Sequence, residues 1–152
     1  MDKVKTFVKQ ARADEKTIVL ATGVFDVLHA EHKKFLMKAK QVGDLLIVGI
    51  ESDQRVGSLR GVGRPVNNEE KRLQQLELQA EVDLAFILPQ EFNSSADHLS
   101  LLELIRPQIL AVSSHTPNLE NKRRLMEKIG GEVRVVHLHN PEVSTTKILK
   151  KY

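Results

Sequence analysis

The sequence predicts a single α/β domain, a three-layer α/β/α sandwich built on a five-stranded, parallel, Rossmann-like sheet. Five short apolar segments alternate with amphipathic segments along the 152 residues, an order typical of parallel strands joined by right-handed helical crossovers. The apolar segments lack strict polar–apolar alternation, as expected for strands covered by helices on both faces. A chain of this length buries one core. No repeat or linker divides it, so we expect one domain over residues 1–152.

Five strands are predicted from short runs that are rich in β-branched residues and leucine. In chain order they cover residues 17–22, 45–50, 84–88, 108–112 and 132–136. The first two contain the runs Ile-Val-Leu-Ala and Leu-Leu-Ile-Val, which are typical of strands buried on both faces.

Helices are predicted between the strands from apolar residues at helical spacing. The first helix carries the stripe Phe35, Leu36, Ala39 and Val42 and is closed by a glycine. The next three cover residues 68–80, 99–105 and 119–129, and a last short helix follows Ser144. The helix over 68–80 begins with two glutamates, which suit the positive end of a helix.

The composition excludes several classes of site. Cysteine is absent, so disulfides, thiolate nucleophiles and cysteine-bound metal sites are excluded. The apolar runs are far shorter than a membrane span, and the first five residues, Met-Asp-Lys-Val-Lys, contain no apolar signal-peptide region. We therefore expect a cytoplasmic protein that does not contact membranes. A net charge of +3 and only 4% aromatic residues argue against a nucleic-acid partner.

The loop after the first predicted strand carries residues suited to binding an anion, since ligands of parallel sheets bind beyond the carboxyl ends of the strands. Gly23 lets a ligand approach the backbone closely. Asp26 can cap the helix that follows and leave N–H groups at its positive end. His29 and His32 are three residues apart and hence neighbours on one helix face, where two imidazole N–H groups can hold one phosphate. Alternatively, His32 continues the apolar stripe and is a core histidine.

A second candidate phosphate-binding segment lies near the C-terminus. Ser144, Thr145 and Thr146 supply three hydroxyl donors at a predicted helix start, and Lys147 adds a positive charge. The alternative is an ordinary Ser/Thr N-cap. We predict that this segment and the two histidines converge on one polyphosphate at the same edge of the sheet.

Motifs along nearly the whole chain resemble those of one enzyme family. Residues 23–32, Gly-Val-Phe-Asp-Val-Leu-His-Ala-Glu-His, resemble the Gly-x-Phe-Asp-x-x-His-x-Gly-His signature of cytidylyltransferase-like nucleotidyltransferases. The similarity continues through residues 38–44, 51–53, 63–65 and 72 and ends at 144–148. Within this superfamily, residues 59–65 and the segment before residue 17 are most similar to heptose-1-phosphate adenylyltransferase domains. Glycerol-3-phosphate cytidylyltransferase and archaeal FAD synthetase are the next most similar.

This resemblance implies an activity and a set of site residues. The activity is attack by a phosphorylated sugar or alcohol on the α-phosphate of a nucleoside triphosphate, ATP in preference to CTP, with release of pyrophosphate. Mg²⁺ accompanies the triphosphate, no protein metal site is implied, and relatives suggest a homodimer. The implied catalytic residues are His29, His32, Arg72 and Thr145. The implied nucleotide-binding residues are Gly23, Val24, Phe25, Asp26, Arg60, Ser144, Thr146 and Lys147.

Other basic residues and histidines are expected to have no role in the reaction. The run Lys-Arg-Arg at residues 122–124 predicts a solvated helix face. His137 and His139 share one face of the last strand and are expected at the surface or in a crevice. A metal role is disfavoured because no third ligand accompanies them.

Two departures from the family pattern leave alternatives open. Glu31 stands where the family has glycine, so either its side chain points away from the nucleotide or the site is altered or disabled. Residues 112–116, Val-Ser-Ser-His-Thr, replace the family's Lys-Gly-x-Asp pattern after the fourth strand. The alternatives are a catalytically impaired nucleotide-binding protein of the same fold, or a cytidylyltransferase or FAD synthetase-like enzyme.

Overall fold

The computed structural model describes residues 1–61 and 63–138, and at its centre lies one five-stranded sheet in which every neighbouring pair is parallel. The strands are β1 (Ile18–Gly23), β2 (Leu45–Ile50), β3 (Leu84–Ile87), β4 (Ile109–Ser113) and β5 (Glu132–His137). All five predicted strands are present, and their bounds differ from the predicted ones by at most one residue. The predicted parallel, Rossmann-like sheet is thereby confirmed.

Helices cover the sheet on both faces. In the described residues they are α1 (Asp2–Ala13), α2 (Ala30–Gln41), α3 (Asp53–Arg60), α4 (Glu69–Glu77), α5 (Ser95–Ile105) and α6 (Leu119–Lys128). Two of them, α1 and α3, were not predicted. Within the described part of the chain, no helix is both long and apolar enough to cross a membrane.

The two missed helices differ in how visible they are in the sequence. Val4, Val8 and Ala11 form the buried face of α1, and this spacing is a readable helical pattern. In contrast, α3 buries only Val56, so its apolar periodicity is too weak to predict a helix. The side chain of its N-cap, Ser52, accepts a hydrogen bond from the Arg55 N–H at 3.2 Å, which favours the helix start.

Alternating residues of the central strands face two separate apolar cores. On one face, Ile18 and Leu20 of β1 pack with buried residues of α1, α5 and α6. On the other face, Val19 and Ala21 pack with buried residues of α2 and α4, including Leu36. This arrangement gives the predicted three-layer sandwich.

The strand order β3-β2-β1-β4-β5 locates the ligand crevice. From β1 the chain proceeds outward to β2 and β3, then returns across β1 to β4 and β5. The connectivity therefore reverses between β1 and β4, and the crevice of such sheets opens at the carboxyl ends of those two strands. Residues 24–29 leave β1 at this point and lead directly into α2.

Candidate active site

The first turn of α2 brings the two predicted histidines together. His29 is the N-cap, and its Nδ1 accepts hydrogen bonds from the backbone N–H groups of Glu31 at 3.2 Å and His32 at 3.4 Å. The Nδ1 of His32 accepts in turn from the His29 N–H at 3.4 Å. The two side chains thus form a reciprocal capping box. The prediction that Asp26 caps this helix is wrong, because His29 directly precedes it and takes that role.

These backbone bonds fix the protonation of both rings. A neutral imidazole carries one N–H donor and one acceptor nitrogen. Since Nδ1 accepts in both His29 and His32, the proton of each neutral ring resides on Nε2. The rings are stacked, with centroids 3.8 Å apart and planes 15° from parallel. The two rings therefore lie side by side at the positive end of α2, where the ring of His32 also hydrogen-bonds the Val27 backbone.

The surroundings of His32 keep its ring neutral. Burial, reinforced by the positive charges of His29 and Arg60, lowers the pKa of His32 from 6.5 to about 4. The ring also meets Phe25 edge-on, with centroids 5.2 Å apart. The contact with Phe25 supports the alternative of a core histidine, while phosphate binding by the two rings stays a prediction.

Asp26 is buried beneath this turn and binds the segment over residues 64–67. Its carboxylate accepts from the N–H groups of Val66 and Asn67, both at 2.9 Å, and from the Arg64 Nε at 3.2 Å. The Asn67 side-chain amide donates back to the Asp26 carbonyl oxygen at 2.6 Å. Asp26 thereby holds the 64–67 segment against the loop that follows β1.

Arg72 is fully buried and is bound by protein oxygens on every side. Its Nη1 donates to the carbonyl oxygens of Val24 at 3.0 Å and Glu51 at 2.8 Å, beyond the ends of β1 and β2. Its Nε donates to the carbonyl oxygen of Asn67 at 3.0 Å, and its Nη2 to an Asp53 carboxylate oxygen at 2.8 Å. With 0% exposure, Arg72 orders the loops that carry the site, so the predicted direct contact with the nucleotide is revised to a positioning role.

Gly23 and Phe25 shape the turn that follows β1, and their predicted contact with the nucleotide stays a prediction. A Cβ at Gly23 would lie 2.9 Å from the ring of Phe25, so glycine is needed for the aromatic ring to fold back over the strand end. Phe25 is itself buried and has a positive φ of 49°. These residues shape the turn, and Val24 supplies the carbonyl oxygen that Arg72 binds.

Arg60 provides positive charge near the histidines. It is the last residue of α3, and its pKa is lowered by burial and then by the nearby Arg64, whereas Asp26 opposes this shift. The charge of Arg60 also contributes to the low pKa of His32. Arg60 thus lies near both His32 and Arg64, and its contact with the nucleotide stays a prediction.

Ser144, Thr145, Thr146, Lys147 and His139 lie outside the described residues. Their convergence with the two histidines stays a prediction. Among residues 1–61 and 63–138, no three His, Cys, Asp or Glu side chains come together in a way that could hold a metal ion.

A second polar group near the carboxyl ends of the strands was not predicted. Lys122, expected on a solvated face, has a pKa lowered by burial, which Glu51 opposes, and its ammonium donates to the Thr116 hydroxyl. Burial raises the pKa of Glu51, and in the described structure its buried Oε2 has no hydrogen-bond partner. Lys122 and His98 line a small cavity with Thr22 and apolar residues of α5 and α6. The basic run at residues 122–124 has the composition of an exposed helix face, so the sequence does not indicate that Lys122 is buried.

Glu31 and His137 form a contact that sequence reasoning also missed. The Oε2 of Glu31 lies 2.5 Å from the Nε2 of His137, and the Nδ1 of His137 lies 3.2 Å from the Nζ of Lys38. His137 is buried, so of the two expected places, the surface or a crevice, the surface is wrong. The Glu31 carboxylate is directed towards the end of β5, and the choice between the two predicted alternatives for this residue stays open.

Comparison with known proteins identifies the family. The sequence pattern of the cytidylyltransferase-like family matches residues 20–151, which include the end of β1, the capping box and every later element of the described structure. The chain belongs to the cytidylyltransferase-like family. The family resemblance stated from the motifs is confirmed.

Curated relatives of this cytidylyltransferase-like chain include the bifunctional protein HldE from two bacteria. The protein from Syntrophotalea carbinolica is 34% identical over 137 residues, which are 90% of this chain and 27% of that protein. The protein from Pseudomonas aeruginosa strain LESB58 is 36% identical over 146 residues, which are 95% of this chain and 29% of that protein. The chain thus spans less than a third of the length of these relatives.

Solved structures share the cytidylyltransferase-like fold. A lipopolysaccharide core biosynthesis protein from Thermoplasma volcanium is 25% identical, with a TM-score of 0.66, and the match covers 82% of this chain and 98% of that one. A pantoate-beta-alanine ligase from Francisella tularensis matches 96% of this chain and 73% of its own, with a TM-score of 0.61. At 17% identity, the second likeness concerns the fold alone.

Proposed function

We propose that this chain is a nucleotidyltransferase that transfers AMP from ATP to a phosphorylated sugar and releases pyrophosphate. The observation that carries this proposal is the capping box of His29 and His32, which holds two stacked imidazoles at a helix N-terminus in the crevice of the sheet. The family membership supports the reaction class. The similarity to a lipopolysaccharide core biosynthesis protein supports a saccharide acceptor. The resemblance of residues 59–65 to heptose-1-phosphate adenylyltransferase domains supports ATP over CTP.

In the proposed reaction, a phosphate oxygen of the acceptor attacks the α-phosphorus of ATP, the bond to the β-phosphate bridging oxygen breaks, and pyrophosphate leaves with the electron pair. The attacking group is already an anion, so no protein nucleophile or base is required. The work of the chain is to bring two anions together and to stabilise charge on the α-phosphoryl oxygens. The Nε2–H groups of His29 and His32 and the α2 N-terminus supply the donors.

Neighbouring residues supply positive charge and hold the loops of the site in place. Arg60 lies near His32, and Arg64 lies near Arg60; both would offset the charge of the triphosphate. Asp26 and Arg72 hold the loops beneath it in place. Mg²⁺ would arrive with ATP and be bound mainly by phosphate oxygens and water, which suits a described donor set without a carboxylate cluster.

The second polar group is the proposed binding place of the acceptor. Glu51 and Lys122 lie at the carboxyl ends of the strands, both partly buried and of opposite charge. A carboxylate oxygen without a partner among the described residues can accept a hydrogen bond from a sugar hydroxyl, and an ammonium can donate to one. This pair suits a polyhydroxylated acceptor better than an apolar one.

The test is release of pyrophosphate from ATP or CTP, with Mg²⁺ and a panel of sugar 1-phosphates, glycerol 3-phosphate and FMN. The proposal predicts turnover with ATP and at least one sugar phosphate. Turnover with CTP alone would indicate a cytidylyltransferase, and turnover with FMN an FAD synthetase. Nucleotide binding without release across the panel would indicate a binding protein that has lost catalysis and would contradict the proposal.

A further inference from the structure

We propose that Glu31 is a positioning residue, which binds the first turn of α2 to the end of β5 through His137 and so holds the phosphate-binding histidines in register. The effect on catalysis rests on the proposed function, whereas the contact itself does not. Glycine stands at this position in the motif that the sequence resembles. In this chain, the space is filled by a bridge between two elements.

The contact joins three side chains in one line. Glu31 is 14% exposed and His137 9% exposed, and their carboxylate and imidazole lie 2.5 Å apart. Lys38 lies on the opposite side of the imidazole, 3.2 Å from Nδ1. Residues 31 and 38 are seven apart on α2, which places them on the same face two turns apart. His137 therefore sits between a carboxylate and an ammonium of the same helix.

Proton counting fixes the direction of both hydrogen bonds. An ammonium has donors only, so the Nδ1 of His137 accepts from Lys38. The proton of the neutral ring then resides on Nε2 and is donated to Glu31. Each member of this partly buried chain has a complementary partner, which is the condition under which a buried polar network stabilises one arrangement. The negative charge of Glu31 is thereby neutralised away from the phosphate-binding donors.

An irregularity in β5 turns His137 towards α2. Val112 pairs with Val135, but the next residue, Ser113, pairs with His137, so Val136 is an extra residue in the strand. A bulge of this kind re-aims the side chains that follow it. Val136 packs against the core on the α2 face, and His137 also contacts α2, whereas strict alternation would direct it to the opposite face.

The backbone of Glu31 carries this order to the histidines. Its N–H is one of the two donors to the Nδ1 of His29, and that bond sets the proton of His29 on Nε2. The side chain of Glu31 is bound to β5, and its backbone N–H bonds the Nδ1 of His29. The contact with β5 therefore restrains the residue that fixes the position of the His29 proton. Glycine at position 31 would remove the bridge and loosen the first turn.

The test compares Glu31→Gly and Glu31→Gln with a matched control, Glu120→Gly. Glu120 also occupies the second position of its helix, α6, but it is exposed and pairs only at 3.8 Å with Arg123 among the described residues. The readouts are kcat and the nucleotide KM, together with imidazole ¹⁵N NMR spectra that report the tautomers of His137 and His29.

We expect Glu31→Gly to lower kcat by about tenfold, with a smaller change in the nucleotide KM, and to convert His137 and His29 from a single Nε2–H tautomer to a mixture. Glu31→Gln can still accept from the His137 Nε2–H, and it should keep the tautomers and at least about a third of the wild-type kcat. Glu120→Gly should leave kcat and both histidines unchanged.

Higher turnover in Glu31→Gly than in the wild type would overturn the proposal, because it would show that Glu31 obstructs the site. Unaltered tautomers of His137 and His29 in Glu31→Gly would overturn it as well. If no form of the protein releases pyrophosphate but both tautomers respond to Glu31→Gly, the proposed function fails and the positioning contact stands.

Discussion

A histidine N-cap differs chemically from the serine and asparagine caps that begin α3, α4 and α5 in this chain. A hydroxyl or amide oxygen satisfies the backbone N–H groups of the first turn. An aspartate would do the same but would present negative charge to an incoming phosphate. His29 satisfies them with Nδ1 and still carries a donor on Nε2, and His32 repeats the arrangement. One pair of residues thus caps the helix and supplies the donors for the proposed reaction.

Replacing His29 with Asn should separate these two roles. Asparagine is among the best N-caps, so His29→Asn should keep the thermal stability within about 1 kcal/mol of the wild type. It lacks the Nε2–H donor, so kcat should fall by about 100-fold or more. Pyrophosphate release and a thermal melt measure the two effects. Ser94→Ala, which removes the cap of α5, is the control and should lower stability without lowering kcat; the reverse pattern would contradict the assignment.

His32 should make the stability of the fold depend on pH. Its folded pKa of about 4 lies below the unfolded value of 6.5, so the unfolded chain binds the extra proton between these values. Stability should therefore decrease as the pH falls from about 6.5 to about 4, by about 3 kcal/mol in total. Glutamine suits the N3 position of a capping box, so His32→Gln should still fold. It should lose the part of the pH dependence of stability that comes from His32. Equal slopes for both proteins in denaturant titrations would contradict the pKa.

Some of the site was visible in the sequence at this scale, and some was not. The spacing of His29 and His32 predicted neighbours on one helix face, which the structure confirms. The sequence does not show where α2 starts, because Asp26 is a residue type common at caps and the apolar stripe begins only at Phe35. The burial of Arg72 was hidden because an arginine in an amphipathic helix normally reaches solvent.

The element beneath the site is the segment over residues 64–67, which crosses from α3 to α4. It has no regular secondary structure of its own, and its position is set by Asp26 and by Arg72. Arg72 also joins the ends of β1 and β2 through Val24 and Glu51. A planar guanidinium can bond several carbonyl oxygens at once, so a single side chain fixes three loops.

Arg72→Lys tests this role because it keeps the positive charge and removes the planar guanidinium that bonds several oxygens at once. A lysine cannot reach all of these oxygens, and the orphaned buried carbonyls should lower the free energy of unfolding by about 3 kcal/mol. Urea titrations measure this loss. Arg123→Lys, at an exposed surface pair, is the control and should change stability by less than about 0.5 kcal/mol. A direct role for Arg72 in substrate binding would instead give a raised KM at unchanged stability.

The bulge in β5 shows why element-level predictions stop short of side-chain contacts. The bounds of β5 followed from its apolar and β-branched residues, but the extra residue at Val136 depends on pairing with β4. A strand in isolation predicts alternation, which would have put His137 and Glu31 on different sides of the sheet. The two residues are 106 positions apart in the sequence, so their contact leaves no local pattern.

At the scale of the whole molecule, the alternation of apolar and amphipathic segments was enough to predict a parallel sheet. The strand order β3-β2-β1-β4-β5 places the carboxyl ends of β1 and β4 around one crevice, where the capping box lies. The two apolar cores on either side of the sheet make α2 part of a rigid layer. The histidines of the capping box are therefore held in place before any ligand arrives, as the proposed electrostatic catalysis requires.

The most direct measurement of this account is a titration of the ¹⁵N-labelled protein with Mg·ATP, followed through the imidazole nitrogens of His29 and His32. If the stacked rings bind the triphosphate, both Nε2–H signals should shift together along one saturation curve, and exchange of their protons with water should slow. ATP that binds with neither Nε2–H signal displaced would contradict the account.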